Sequence, residues 1–425
     1  MPPRLSYRNL HTLDNFLFQR TPKQERMRFD SKFLIRGAGT MRDFISRYIN
    51  WIVAAAVGFL IAFLFVYAPP AKAADLGGNC CADLEERIAE LEGTVVRKGN
   101  RKVNVTISGQ INKAVAGYKI GDEQDAKVIE NSASESYLKV SVVANIRFGW
   151  DAGAVLEIGQ GKTGLKVDIL SGLSLATDND VYTRQSYVFL ATPGGKVSIG
   201  LQSMATDDLT AISVANTDAA VKRLTLAPIH YLFVTAGPIT ILEAELEPFN
   251  GSKADAVRYD TPVLFGVAIA SAAWDSQDDS WDVAVRAGAE RDGFRWNAAA
   301  GYELDKVDSL IGLQETKTIS LNAGLMHIAS GLFVQGSAAR LEVEGAGEVD
   351  AWHLQAGIER RLLEGVGPTT FWVGYSDWAD GDLTFYEAGI NQNVAAAVDL
   401  YFTARSYEIG DEDAQAAIAG ARLKF

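Results

Sequence analysis

Few residues of this chain are spaced as a catalytic site would need them. Of its four histidines, His230, His327 and His353 belong to no nucleophile motif, metal-ligand pattern or glycine-rich phosphate loop. His327 and His353 lie in stretches of alternating polarity, where a plain strand or loop histidine is the simpler interpretation. The sequence therefore predicts no metal, no cofactor and no enzyme. A hydrolase whose Ser, His and Asp come from distant parts of the chain is the enzyme-class alternative.

The charge of the chain restricts its partners. The 425 residues carry a formal net charge of −13. Without residues 1–73, which are treated next as a leader, 29 basic and 49 acidic residues remain, a net charge of −20. Binding of nucleic acid needs a basic surface, because phosphate contacts supply much of the affinity. The composition therefore argues against nucleic acid and suits an exported protein with acidic surface loops.

An export signal accounts for the one long apolar run. Met41 begins a short basic stretch, an apolar run follows from Trp51 to Ala68, and Ala71-Lys72-Ala73 has the small-x-small pattern of a cleavage site. We expect 41–73 to be a signal peptide cleaved after Ala73; a retained membrane anchor is the alternative. Residues 1–40 carry eight Lys or Arg and stay unassigned, as a basic leader or a start codon placed upstream of Met41.

Residues 74–101 predict a short periplasmic segment with a helix. Its apolar residues at spacings of four, three and four are Leu84, Ile88, Leu91 and Val95. This spacing is typical of a coiled-coil seam. Two heptads are marginal alone, so the helix either joins several copies or lies on its own domain. The adjacent Cys80 and Cys81 could cross-link identical chains or be a tolerated pair in a flexible segment.

From Lys102 the hydrophobic period changes from that of a helix to the period of two that marks a strand. In 138–148, for example, one face is fully apolar and the other carries Lys139, Ser141, Asn145 and Arg147. A soluble sandwich would give the same alternation, so the number of strands decides. We predict sixteen strands, near 102–116, 136–149, 153–161, 181–191, 195–202, 255–262, 265–274, 281–291, 293–303, 317–328, 331–342, 351–361, 368–377, 383–392, 395–407 and 415–425.

The predicted connections alternate in length. The longer ones are near 117–135, 162–180, 203–254, 304–316 and 343–350; short ones include Thr192-Pro193-Gly194, Asp292 and Ser330. This alternation is typical of an outer-membrane barrel. An even number of strands lets the last strand pair with the first and leaves no open edge. We therefore predict an all-β, transmembrane antiparallel β-barrel of sixteen strands over 102–425. Aromatic residues expected near its membrane interfaces are Trp150, Trp274, Trp281, Trp352, Trp372 and Tyr401.

Several stretches resemble the general porins of Gram-negative bacteria. They are Arg184 to Leu190, Gly194 to Gly200, and Val257 to Pro262 with Gly266. Cys80 to Arg87 with Arg97 to Lys102 resemble the porins of the rhizobial and brucella type. The resemblance covers residues 80–425. It implies a homotrimer of sixteen-stranded, water-filled barrels in the outer membrane, with both termini in the periplasm. The final Phe425 also fits the family, in which it is read by the barrel-assembly machinery.

The resemblance also implies a constriction inside each barrel. In the family the third outer loop folds into the pore, and acidic residues on this loop face basic residues on the wall. Here the loop is expected at about 203–254. The residues that match are Asp207, Asp208 and Asp218 on the loop and Arg184, Lys139 and Arg258 on the wall. Gln202 stands where the family often has Arg, which makes the wall less basic and leaves the ion preference open. Opposed charges across a narrow wet passage create a transverse field that sieves solutes without a binding site.

The resemblance implies a porin for passive diffusion of small hydrophilic solutes and ions. Its expected surroundings are outer-membrane lipid and lipopolysaccharide. The binding-class alternative is a substrate-selective channel with a sugar or phosphate site. A barrel hydrolase is the less favoured alternative, since it would be expected on a smaller barrel.

Overall fold

A computed structural model describes residues 103–120, 123–147, 149–160, 166–167, 174–175, 181–225, 249–309, 312–344, 347–378, 383–409 and 412–425. The predicted leader, signal peptide, cysteine pair and short helix lie outside these residues, as does His230. No helix within the described ranges is long and apolar enough to cross a membrane.

The described residues form nineteen strands and two single-turn 3-10 helices. The strands are β1 (Val103–Ile120), β2 (Glu123–Glu130), β3 (Tyr137–Arg147), β4 (Trp150–Gln160), β5 (Lys166–Val167), β6 (Ser174–Leu175), β7 (Val181–Thr192), β8 (Gly195–Ser203), β9 (Lys253–Asp260), β10 (Ala268–Asp275), β11 (Trp281–Arg291), β12 (Phe294–Ser309), β13 (Gly312–His327), β14 (Leu332–Val343), β15 (Gly347–Arg360), β16 (Thr369–Trp378), β17 (Leu383–Ala395), β18 (Val398–Ile409) and β19 (Glu412–Lys424). The 3-10 helices are Ser132–Ser134 and Leu209–Ala211.

One antiparallel sheet contains every strand except β5 and β6, which pair only with each other. The first half of β1 pairs with β3 and its second half pairs with β2, so β2 and β3 occupy one position in the sheet. On its other side β1 pairs with β19 from Gln110↔Lys424 to Ile120↔Ala414. The sheet therefore closes, and the prediction of a sixteen-stranded antiparallel barrel is confirmed.

A short inward turn separates β2 from β3. Asn131 caps the 3-10 helix by accepting a hydrogen bond from the backbone N–H of Ala133 at 3.0 Å. Its amide nitrogen lies 3.0 Å from the hydroxyl of Tyr401 on β18, across the lumen side of β1 and β19. Asx caps are typical of loops, because they compete with the hydrogen bonds of a strand ladder. The prediction of a loop over 117–135 was nevertheless wrong, since most of that range is strand.

Alternation along the strands produces an apolar outer surface. Phe294 and Leu304 share the outward face of β12, and Leu304 pairs with Trp281 on β11. Ten residues of strand span roughly 33 Å, or about 25 Å of membrane when the strand is tilted by about 40°. This matches the height of the apolar band of an outer-membrane barrel, with aromatic rings at both limits.

Two of the aromatic residues assigned to the interfaces point inward instead. Trp274, Trp281 and Trp352 are exposed on the outer surface, but Trp372 and Tyr401 are buried inside the barrel. The Trp372 ring lies over Gly389 of the neighbouring strand, where a Cβ atom would come within 2.1 Å of the ring. Large side chains can turn inward here because the lumen is partly filled, so sequence alone did not separate interface aromatics from interior ones.

Most connections at one end of the barrel, called the tight-turn end below, have two to four residues, although 261–267 and 361–368 are longer. Most of the long loops expected at the other end are shorter than predicted. At the tight-turn end, Asp292 and Gly293 both adopt positive φ (53° and 83°), as a two-residue hairpin turn requires. At the opposite end, β12 and β13 continue to Ser309 and Gly312. The ranges 304–316 and 343–350, expected as long loops, are mostly strand because the sheet extends beyond the apolar band.

Candidate functional site

The described parts of the connection from β8 to β9, residues 204–225 and 249–252, lie inside the barrel and are called the inner loop below. The backbone N–H and the hydroxyl of Thr206 both donate to Oδ2 of Asp282 on β11, at 2.6 and 2.7 Å. Asp282 is fully buried, so this pair of bonds holds the first turn of the inner loop against the wall.

Polar side chains of the wall then hold the inner loop along one side of the lumen. The contacts are Asn322 Nδ2 to Thr210 O, 3.0 Å; Val214 N to Gln335 Oε1, 2.9 Å; Asn216 N to Glu359 Oε2, 2.8 Å; Asn391 Nδ2 to Asn216 O, 3.0 Å; and Asn112 Nδ2 to Ala219 O, 3.1 Å. These partners lie, in sheet order, on β13, β14, β15, β17 and β1. The backbone groups of an irregular segment must be satisfied away from water, and inward-facing amides and carboxylates do so here.

The inner loop also packs a hydrophobic core against the wall. Leu224 and Phe249 of the loop are buried with Trp378, Leu383 and other wall residues. The rings of Phe249 and Trp378 meet edge to face at 5.0 Å. The contacts of the inner loop therefore run along the wall from β11 through β19 to β1, and the remaining part of the wall includes β3, β4 and β7.

A fully buried ion pair joins this core to the loop backbone. Arg405 on β18 lies 2.8 Å from Glu387 on β17, and neither side chain has exposed surface. The same guanidinium donates to the carbonyl oxygens of Thr225 at 2.7 Å and Lys222 at 3.0 Å. His353 is also buried here, 3.5 Å from Glu387. The inner loop covers His353, so this histidine packs in the interior and has no access to solvent.

The uncovered wall carries a compact group of charges, defined here as the wall cluster: Lys139, Arg184, Glu135 and Glu157. Arg184 Nε donates to Glu157 at 2.8 Å, and its NH1 pairs with Glu135. Lys139 Nζ lies 3.5 Å from Glu157. Lys139 and Arg184 therefore face the lumen, each beside a carboxylate of its own wall.

Each predicted aspartate of the inner loop also has a cationic partner. Asp207 lies 3.1 Å from Lys253, Asp208 lies 2.7 Å from Lys222, and Asp218 lies 2.7 Å from Arg422 on β19. Partial desolvation would raise the pKa of Asp208, but Lys222, with smaller contributions from Lys253 and Arg184, holds it below its ordinary value. The loop aspartate and the wall arginine are thus within electrostatic range of each other.

Arg258 lies at the base of the inner loop, away from the wall cluster. Its NH1 donates to the carbonyl oxygens of Ser203 at 2.9 Å and Met204 at 3.1 Å, and its NH2 lies 2.8 Å from Asp260. Gln202 is buried and donates to the carbonyl oxygen of Ala256 at 2.8 Å. Both residues hold the point where the chain leaves β8, which is a structural role next to the passage.

The sequence argument did not identify the carboxylates of the wall or the lysines that pair with the loop aspartates. Glu135, Glu157, Lys222 and Lys253 all belong to the charge groups around the passage. The strand parity that placed Lys139 inward also places Glu157 inward, because the two are directly paired across β3 and β4. Within the described residues, no group of His, Cys, Asp and Glu has the arrangement of a metal site.

Phe425 completes the sheet at the tight-turn end. Its backbone N–H donates to the carbonyl oxygen of Gly109 at 3.0 Å, and its carbonyl oxygen accepts from Gly109 N–H at 2.8 Å. Leu423 and Phe425 are exposed on the outer surface, while Arg422 points inward to Asp399. The last residues therefore continue the alternation and join the first strand.

Comparison with known proteins agrees with this architecture. A family model described as Gram-negative porin matches residues 54–412. A search of curated proteins found no match. Among solved structures, Salmonella typhi OmpF in complex with daunomycin superposes with a TM-score of 0.51 at 12% identity, covering 78% of this chain and 100% of its own.

Two further solved structures are similar in fold. The outer membrane channel DcaP of Acinetobacter baumannii has a TM-score of 0.50 at 9% identity, covering 77% of this chain and 99% of its own. Outer-membrane expressed OmpT of Vibrio cholerae has a TM-score of 0.50 at 13% identity, covering 78% of this chain and 100% of its own. At these identities the likeness concerns the barrel fold, whereas the family model spans most of the chain. The chain therefore belongs to the Gram-negative porin family and is a multi-pass β-barrel channel of the outer membrane.

Proposed function

We propose that this porin lets small hydrophilic solutes and ions diffuse passively between the wall cluster and the inner loop. The observation that carries the proposal is the eccentric filling of the barrel: the loop is anchored along one side, and charged side chains line the side that it leaves uncovered. Lys139 and Arg184 on the wall, with Asp207, Asp208 and Asp218 on the loop, are the proposed constriction residues. Arg258 contributes by holding the base of the loop.

Planar-bilayer recording of the purified protein tests this proposal. A passive pore gives large, steady, ohmic conductance steps, and neutral sugars above a limiting size stop reducing that conductance. A substrate-selective channel would instead show saturable block by one sugar or by phosphate. Absence of conductance together with cleavage of lipid or peptide would contradict the porin function and favour the hydrolase.

We also propose that three copies associate, and the outer surface supports an association of identical barrels. Lys113 faces outward between Ile111 and Val115, which are 50% and 53% exposed. It forms an ion pair with Glu130 on β2 and donates to Gln160 Oε1 on β4 at 2.7 Å. A lysine facing lipid within the apolar band costs about 2–4 kcal/mol at the bilayer midplane. A neighbouring barrel that covers this group would remove the contact with lipid.

Small side chains next to this ion pair would allow close approach of a second barrel. Ala417, Ala419 and Ala421 form the outward face of β19 beside Lys113. The outward faces of β13 to β16 instead carry large apolar residues such as Leu321, Leu354 and Val373, all exposed. The large apolar residues of β13 to β16 therefore suit contact with lipid, and the small residues of β19 suit close packing against another copy of the chain.

Two of the remaining proposals, the orientation of the barrel and the role of Phe425, follow from the resemblance to porins, and the third follows from the export-signal pattern of residues 41–73. The tight-turn end of the barrel, with Phe425, is placed in the periplasm, and the opposite end faces lipopolysaccharide. Phe425 is proposed as the residue that the barrel-assembly machinery reads. Residues 41–73 are proposed as the signal peptide, so N-terminal sequencing of outer-membrane material is expected to begin at Ala74; recovery of residues before 41 would contradict this cleavage.

A further inference from the structure

Both cations of the wall cluster converge on one carboxylate. Oε1 of Glu157 accepts a hydrogen bond from Arg184 Nε at 2.8 Å, and Oε2 lies 3.5 Å from Lys139 Nζ. Gln185 Nε2 also lies 3.5 Å from Oε2. The Glu157 side chain is only 4% exposed, so its charge is directed at these partners rather than at water.

The local backbone is arranged to bring these groups together. The register between β4 and β7 shifts at Glu157, which pairs with Gln185, while Ile158 pairs with Thr183. Arg184 is therefore the extra residue of a β-bulge, and the bulge lets consecutive residues, Arg184 and Gln185, both reach Glu157.

Neighbouring residues leave room for the arginine. A Cβ atom on Gly159 would lie 2.5 Å from Arg184 Cδ, so glycine is needed beneath the side chain. The guanidinium also lies 5.6 Å from the centre of the Tyr137 ring. The bulge, Gly159 and the Tyr137 ring together fix the position of Arg184 against Glu157.

The consequence concerns charge. Lys139 and Arg184 bring two positive charges to the wall cluster, and Glu135 and Glu157 bring two negative charges. We propose that Glu157 determines the ion selectivity of this pore, because together with Glu135 it cancels the charge of the wall lysine and arginine. The proposal rests on the proposed function, because it requires ions to pass along this wall. The resemblance to porins implies a basic wall opposite an acidic loop. The proposal replaces this with a wall whose lysine and arginine are neutralised by carboxylates of the same wall.

Glu157→Gln tests the proposal, because the amide keeps the size of the side chain and one acceptor for Arg184. In 0.1 M KCl, where charges act over about 10 Å, the permeability ratio of chloride to potassium is expected to rise by at least about twofold. In 1 M KCl the screening length falls to about 3 Å and the difference from wild type is expected to be small. A purely steric change would not depend on salt in this way.

Three further variants separate charge from structure. Glu348→Gln removes the same charge from an exposed pair with Arg340 on the outer surface and is expected to leave the ratio unchanged. The double variant Glu157→Gln/Arg184→Gln removes one charge of each sign and is expected to restore the wild-type ratio. Lys139→Gln removes a wall cation and is expected to shift the ratio towards potassium.

Several outcomes would overturn the proposal. A folded Glu157→Gln protein with the wild-type ratio in 0.1 M KCl would do so. If that variant failed to assemble, an unchanged ratio in Lys139→Gln would have the same consequence. Failure of the wild-type protein to conduct would contradict the proposed function itself, and so is distinct from a conducting pore whose selectivity ignores Glu157.

Discussion

The charged side chains of the wall cluster and of the loop aspartates beside it occur in close pairs of opposite sign. Arg184 and Lys139 lie beside Glu157, while Asp207 and Asp208 lie beside Lys253 and Lys222. Such pairs keep the surface strongly hydrated while reducing its net field. Replacing one member of a pair therefore changes the field on permeating ions mainly by leaving the charge of its partner unbalanced.

Replacement of Arg184 tests this pairing. Arg184→Ser leaves Glu135 and Glu157 with one fewer cation, so we expect selectivity to move towards potassium and conductance to rise as the passage widens. The shift in the permeability ratio should be at least about twofold at low salt. The measurement is the reversal potential across a KCl gradient.

Arg340→Ser is the matched control, since Arg340 pairs with Asp350 at 2.6 Å on the exposed outer surface. It is expected to leave the ratio unchanged. Equal ratios in Arg184→Ser and wild type would remove Arg184 from the constriction.

At the scale of elements, the inner loop and the wall behind it form a packed unit within the barrel. Buried apolar residues such as Leu209, Leu224 and Phe249 fill the space, and wall residues satisfy the loop backbone. Truncating one partner of a buried ion pair such as Arg405 and Glu387 leaves an uncompensated charge, which costs about 3–5 kcal/mol. The loop is therefore expected to hold one position, and the passage to keep one width.

Loss of the first anchor of the inner loop should disturb that position. Asp282→Ala leaves the N–H and the hydroxyl of Thr206 without their buried acceptor, a cost of about 1–3 kcal/mol for each group. We expect noisier single-channel currents and a lower temperature of trimer or barrel denaturation, with ion selectivity little changed.

Asp350→Ala is the control, because it breaks an exposed ion pair that does not touch the loop. Steady currents in Asp282→Ala, indistinguishable from those of Asp350→Ala, would show that this anchor does not hold the loop.

At the scale of the whole molecule, the outer surface has two kinds of face. If the face with Ala419 packs against another copy, Ala419→Trp should weaken the oligomer, because a large ring prevents close approach. Val373→Trp adds the same ring to an outward position that is 54% exposed among large apolar residues, and it should leave the oligomer intact. Native electrophoresis and light scattering in detergent measure the outcome; equal oligomers in both variants would move the interface elsewhere.

Deletion of Phe425 tests closure and assembly together. The deletion removes two backbone hydrogen bonds to Gly109, out of the ladder that joins β1 to β19. Most of the ladder remains, so we expect the protein that does insert to conduct normally, while the amount in the outer membrane falls. A loss of conductance per channel as large as the loss of inserted protein would assign Phe425 to pore structure instead of assembly.

Much of the architecture follows from local pattern. Period-two alternation predicted the strands, since each must present an apolar face to lipid, and their number and the lengths of their connections predicted a barrel of sixteen positions. The β11 bounds, Trp281–Arg291, coincide with those predicted. Strand ends were less accurate where polar strands extend beyond the membrane, as in β12 and β13, because alternation weakens where both faces meet water.

By itself, then, the sequence determined the alternation of lipid-facing and lumen-facing residues along most strands, because alternation depends only on neighbours in the chain. It placed Lys139 inward for this reason, whereas Arg184 has the parity of the outward-facing Val188 and Leu190 and turns inward only through the bulge. Only the tertiary structure decided what those residues meet. The pairing of Arg184 with Glu157 depends on a bulge between β4 and β7, and the burial of Trp372 and Tyr401 depends on a filled lumen. Strand register and packing determine which residues of distant strands become partners, and the local alternation of a sequence contains no information about either.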